Sequence, residues 1–102
     1  MSTQRIYEGD TVRITLSELA HDEVGVMDAN ADVDWAAYRS AGTSLDTGTA
    51  TYNPRLKSWA DTVTAPASVA SNPETILVEF VVTAAGAIHH FRTTFDVYEA
   101  GP

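Results

Sequence analysis

Three stretches of this chain hold side chains that could do chemistry, and two of them invite a metal. Asp28-Ala29-Asn30-Ala31-Asp32-Val33-Asp34 places a side-chain oxygen at every second residue. In the first half of a calcium loop, oxygens so spaced are the hard ligands, here Asp28, Asn30, Asp32 and Asp34. The rest of such a loop is missing. Val33 stands where the sharp turn needs glycine, and Arg39 where a bidentate glutamate should close the shell. The helix-loop-helix calcium motif is thereby excluded. A looser surface site, completed by backbone oxygens, is the metal reading that survives; the plain reading is a polar loop entering a strand. The second stretch is His89-His90. On a strand, neighbouring side chains point to opposite faces, so these two cannot grip one ion. One should face the core and the other solvent, and His21 stands alone in an acidic stretch.

The third stretch, Leu45-Asp46-Thr47-Gly48-Thr49-Ala50, resembles the catalytic loop of aspartic proteases. A chain of 102 residues is about the size of one half of a homodimeric enzyme of that kind. Asp46 from each copy would then share one proton, because two adjacent carboxylates cannot both ionise. The later elements are absent: Val81-Val82-Thr83 ends without the glycine that should follow an apolar pair, and no Gly-Arg-Asn or Gly-Arg-Asp comes after it. The plain reading makes Asp46-Thr47-Gly48 a turn. Nor is there a Gly-x-Ser-x-Gly elbow, a phosphate-cradling glycine loop or a His-Glu-x-x-His helix. With no cysteine in the chain, thiol nucleophiles and zinc thiolates are excluded as well. The expectation is a protein that is not an enzyme, with no catalytic residue and no cofactor.

The elements that must position these groups are strands. Thr75 to Val82 is a dense β-branched and aromatic run, Ile88 to Tyr98 is another, and Thr83-Ala84-Ala85-Gly86-Ala87 joins them with one glycine to take a positive φ. The first arm is apolar on both faces except at Glu79 and reads as a central strand covered on both sides or nearly so. The second alternates, with Phe91, Phe95 and Val97 opposed to His90, Arg92, Thr94, Asp96 and Tyr98, and reads as half-buried. After the turn signal Gly9-Asp10, Val12, Ile14 and Leu16 alternate with polar residues, with Ile6 and Tyr7 as a short lead-in. Residues 18 to 32 read as acidic loop with one short strand near Val24 to Met27. Asp32 to Arg39 fits a strand through Val33, Trp35 and Ala37, or a short helix through Trp35 and Tyr38; the β character on either side favours the strand. Thr43 to Thr51 reads as a turn into a strand containing Ala50 and Tyr52, ended by Asn53-Pro54. A further strand from about Lys57 to Thr64 would bury Trp59 and Val63, and the prolines from Pro66 to Pro73 mark a loop into the hairpin. Evenly spaced turns between short alternating strands predict an all-β fold: a two-sheet antiparallel β-sandwich of six or seven strands with a C-terminal β-hairpin. Residues 1–102 make a single domain of it.

Charge and composition narrow the partners. Six basic against fourteen acidic residues give a net charge of −8, a field that repels phosphate backbones and disfavours nucleic acid. No stretch approaches the run of about 18 apolar residues that a membrane helix needs. The start of the chain, Met1 to Arg5, leads into polar sequence instead of a signal-peptide core. The expectation is therefore neither membrane insertion nor secretion. Tyr7, Tyr38, Tyr52 and Tyr98 are candidates for a face that stacks on sugar or anchors a protein interface, against the plain reading of strand packing.

Three segments carry a wider likeness. Tyr7-Glu8-Gly9-Asp10-Thr11-Val12-Arg13-Ile14 opens the domain, Trp59 to Val63 precedes a proline, and Val78-Glu79-Phe80 leads through Gly86 to Phe95-Asp96-Val97. Together they resemble the small Ig-like proteins found among the virion genes of tailed phages and related viruses. The resemblance implies an Ig-like sandwich that acts as a non-catalytic structural or accessory subunit: a capsid decoration, neck or tail component. Such a protein would be assembled in the host cytoplasm and would contact other virion proteins in several copies on a symmetric assembly. The alternative, from a different class, is a carbohydrate- or calcium-binding β-sandwich module.

Overall fold

The computed structural model describes residues 5–17, 31–84 and 86–100. The candidate ligands Asp28 and Asn30, most of the acidic stretch and the short strand expected near Val24 lie outside them. The described chain is all β. Eight strands follow in order: β1 (Ile6–Tyr7), β2 (Thr11–Ser17), β3 (Asp32–Tyr38), β4 (Ser44–Thr49), β5 (Thr51–Asn53), β6 (Ser58–Thr64), β7 (Glu74–Ala84) and β8 (Ala87–Tyr98). They form a five-stranded sheet, β1-β8-β7-β3-β4, and a three-stranded sheet, β2-β6-β5. All pairs are antiparallel except β1 with β8, which is parallel.

The count of eight corrects the expected six or seven, and the extra strand has a local cause. The single strand expected through Ala50 and Tyr52 is two strands in different sheets. Ala50 is the crossing point, buried, with its N–H donated to the Val33 carbonyl at 2.8 Å. Upstream of it β4 pairs with β3, and downstream β5 pairs with β6. Polar alternation looks the same on both sides of such a corner, so periodicity does not report it. The turn expected at Asp46-Thr47-Gly48 is likewise part of β4. Lys57 closes the loop before β6 in the left-handed region, at φ 52°, which starts that strand at Ser58.

One core lies between the sheets. From the three-stranded sheet it takes Ile14, Leu16, Trp59 and Val63; from the five-stranded sheet it takes Val33, Trp35, Ala37, Ile76, Val78, Phe80, Val82 and Val97. Fully burying a large apolar side chain contributes roughly 1.5–3 kcal/mol, so β7 alone supplies a substantial part of the fold. Its inward residues are at most 1% exposed. The hairpin forms as expected: β7 and β8 pair from Glu74–Val97 to Ala84–Ala87, and Gly86 takes φ 80° in the turn. Phe91 and Phe95 oppose Phe80 and Ile76 on the inner face. The expectation that β7 is covered on both sides or nearly so holds in full for its inner face. Its other face carries Leu77, Glu79 and Val81, each half-buried, between the exposed Thr75 and Thr83. Lateral neighbours on β3 and β8 shield these side chains, as a central position in a sheet provides.

Trp35 ties the layers together. Its indole lies across β4 at Gly48, its direct partner there, where a Cβ would come within 2.7 Å of Nε1 and 2.8 Å of Cε2. Only glycine leaves room for that ring. From this position Nε1 donates to Asp61 Oδ2 on β6 at 2.7 Å. Gly48 therefore serves indole packing and a bond between sheets. Opposite Ala37 and Tyr38 the register slips, leaving Leu45 as the extra residue of a bulge, packed against the core margin.

Candidate interaction surface

The outer face of the five-stranded sheet is the broadest organised surface among the described residues. Direct partners on antiparallel strands share a face, so the register assigns it. β3 contributes Asp34, Ala36 and Tyr38, β4 contributes Thr47 and Thr49, β7 contributes Leu77, Glu79 and Val81, and β8 contributes His90, Arg92 and Thr94. Its middle is apolar or aromatic and half-buried, at Ala36, Tyr38, Leu77 and Val81. Its polar groups pair with one another. Arg92 Nε donates to Glu79 Oε2 at 2.8 Å, and His90 Nδ1 lies 3.6 Å from Glu79 Oε1. The bonded guanidinium of Arg92 holds the Glu79 carboxyl below the usual carboxylate range. Thr75 Oγ1 donates to Asp96 Oδ1 at 2.7 Å, and Thr49 Oγ1 to Asp34 Oδ1 at 2.8 Å. Two shallow open depressions mark the face, one beside Tyr38, Gly42 and Leu77 and the other over Gly48 and Val81. Neither is an enclosed cleft. Such a surface can make contact over an area, but it offers no closed pocket in which a small molecule would lose most of its water.

The opposite face of the same strand carries a different polar construction. Glu74 is 1% exposed, and its two oxygens accept five hydrogen bonds. Arg39 gives two, Nη2 to Oε1 at 2.7 Å and Nε to Oε2 at 3.1 Å. Ser40 gives two more from N and Oγ, both at 3.2 Å, and Ala70 N gives one at 2.8 Å. The bonded Arg39 guanidinium first, and the amides of Ala70 and Ser40 after it, pull the Glu74 carboxyl down to about 2 against the opposing effect of burial. Arg39 Nη2 also donates to the Ser68 carbonyl at 2.7 Å. Glu8 completes the end of the domain, accepting from Val69 N at 2.8 Å and Ala100 N at 3.0 Å. These two carboxylates hold the loop between β6 and β7 to the turn between β3 and β4 and to Ala100 beyond β8. Sequence reasoning missed both. A signal for Glu74 existed: it is in phase with Ile76, Val78 and Phe80, so period two puts it on the buried face, where a carboxylate must find a cation.

The residues singled out for chemistry do not converge. Asp32 and Asp34 are exposed on β3, and no group of three or more metal-ligating side chains occurs among the described residues. Asp46 is exposed on β4, its Oδ1 accepting from the next residue's own amide, Thr47 N, at 2.8 Å. His89 and His90 face opposite sides of β8, across from Val82 and Val81. The four tyrosines are distributed over the molecule instead of forming one stacking face. Tyr52 packs inward against Trp59, ring centroids 4.8 Å apart. Tyr38 stands on the outer sheet face. Tyr7 and Tyr98 are partners at the parallel β1–β8 junction, and the Arg5 guanidinium lies 4.5 Å from the Tyr98 ring centre, within reach of a cation–π contact. Compared with known proteins, the chain matches no family model and no curated sequence.

Proposed function

We propose that this chain is a non-enzymatic structural and interaction module of a virion, an Ig-like domain that serves as a capsid decoration, neck or tail accessory subunit. The strand order supports the Ig-like part. With β2, β6 and β5 as one layer and β8, β7, β3 and β4 as the other, the chain follows the arrangement in which strands B, E and D face G, F, C and C′. Here the first strand pairs beside the last. The cysteine pair of antibody domains has no equivalent, and the Trp35 to Asp61 hydrogen bond links the layers instead.

The observation that carries the functional reading is the outer sheet face. Side chains that elsewhere drive chemistry are spent there on each other, in the Glu79–Arg92 and Asp96–Thr75 pairs, while Ala36, Tyr38, Leu77 and Val81 give it an apolar centre. Asp34, Asp96 and Glu79 against Arg92 leave the face acidic, so the partner that fits is a virion protein presenting an apolar patch with a basic rim. The test is co-sedimentation of the native protein with particles, followed by negative-stain microscopy. Association with a head, neck or tail is expected. A Leu77→Asp variant should keep its fold and lose at least tenfold in particle association. A protein that sediments alone in the presence of assembled particles overturns the reading.

A further inference from the structure

The two long edges of the five-stranded sheet are finished differently. On β4 the edge is short, bulged, and capped at one amide by Asp46. On β8 it is twelve residues long and pairs with β7 throughout, while β1 covers only Val97 and Tyr98 on its other side. From Ile88 to Asp96 no described strand pairs with that side. The direction of the unpaired groups follows from one bond: Glu8 N donates to the Tyr98 carbonyl at 3.1 Å, so Tyr98 turns its backbone away from β7. Backbone direction alternates with period two, so His90, Arg92, Thr94 and Asp96 turn theirs to the same open side. No proline interrupts Ala87 to Tyr98, and the register with β7 has no bulge. Among the described residues, His90, Arg92, Thr94 and Asp96 thus form a straight row of donors and acceptors with no strand beside it, a template for another strand.

We propose that β8 pairs antiparallel with β8 of a second copy of this chain, with Thr93 on the two-fold axis, joining two five-stranded sheets into one. Charge selects the register. An axis at Arg92 would set two guanidinium groups against each other, and an axis at Thr94 would shorten the ribbon to Arg92 through Asp96. With Thr93 on the axis, His90 lies opposite Asp96 and Arg92 opposite Thr94, from both sides. This is the longest symmetric pairing of the open segment that avoids a like-charge confrontation. It stands apart from the virion reading, since it uses the strand edge and not the sheet face.

The chain has no cysteine, so single substitutions report the register directly. Thr93 is exposed, and in this pairing the two Thr93 Cα atoms form a non-hydrogen-bonded pair about 4.5 Å apart, within reach of a disulfide. Oxidised Thr93→Cys protein is expected to run as a linked dimer that reductant separates, and Thr94→Cys protein is expected to remain unlinked. In sedimentation equilibrium the parent should move from its 11.0 kDa monomer mass towards twice that value as concentration rises. Thr94→Pro removes one amide on the open side while sparing the bonds to β7, and should weaken dimerisation about tenfold or more. A parent that stays at monomer mass throughout, or linkage through position 94 and not 93, overturns the proposal. A monomer that still joins particles would overturn this pairing alone; a dimer that joins none would overturn the virion reading alone.

Discussion

Glu74 and Glu79 lie on the same strand, each bonded to an arginine, and have opposite physical situations. The odd spacing between them sends one to the inner face of the sheet and the other to the outer. Glu74 has exchanged water for five protein hydrogen bonds. Glu79 shares one bond with an arginine that is 67% exposed, beside a histidine that is 55% exposed. A buried ion pair is costly to break because the remaining charge has nowhere to go, whereas an exposed pair competes with water and salt at every moment. The inner face of β7 is therefore where the fold is held, and the outer face can be altered without unfolding the protein. A contact surface needs that freedom.

The largest effect should come from breaking the inner pair. Arg39→Ala, which leaves the buried Glu74 carboxylate without its cation, is expected to be the most destabilising change in urea unfolding monitored by tryptophan fluorescence, and Glu74→Ala less so because the remaining guanidinium is 30% exposed. Replacing both residues with apolar side chains of similar volume should cost less than either single change. The next effect is on packing at the same face. Gly48→Ala drives a methyl group to 2.7 Å from the Trp35 indole and should cost about 1–3 kcal/mol, with a red-shifted emission as the ring leaves Asp61.

Acid acts on the two glutamates with the same sign, since both carboxyls are lowered, and the larger effect belongs to Glu74. The folded Glu74 carboxyl is lowered to about 2, below its unfolded value of about 4.3. Its contribution is fully present above the unfolded value and is lost as pH falls from there through about 2. The stability gap between the parent and Glu74→Gln should therefore be constant from pH 7 to 5 and narrow as pH falls below about 4. A gap unchanged at pH 2 would contradict the ion-pair account. The smallest effect belongs to Glu79→Gln, whose ion pair is open to water, and it should shrink further in high salt. A loss as large as that at Glu74 would erase the contrast between the faces.

Much of the architecture was legible because alternation is a local property. Val12, Ile14 and Leu16, and Val33, Trp35 and Ala37, each reveal a buried face from their own spacing, and the hairpin is legible from Gly86 and the runs that flank it, although Ile76 to Val82, apolar on both faces, does not say which face is inner. The corner at Ala50 was not, since residues on both sides of it alternate in the same way while pairing with different sheets. Gly48 read as turn punctuation because its reason is an indole thirteen residues earlier. The contact surface was only half legible. The tyrosines were visible as types, but which of them share a face depends on register and on which sheet each strand joins.

By itself, the order of residues pointed to an all-β fold and to Trp35, Trp59 and Val63 as core, while the burial of Glu74, although in phase with Ile76, Val78 and Phe80, went unread. Those properties follow from a two-residue period acting within each strand. Only the tertiary structure decided that Arg39 neutralises Glu74, that Asp61 receives the Trp35 indole N–H, and that, among the described residues, no strand lies along the outer side of β8 from Ile88 to Asp96. These facts depend on which strands become neighbours. That choice is made by the whole core closing at once, between residues that lie tens of positions apart in the chain.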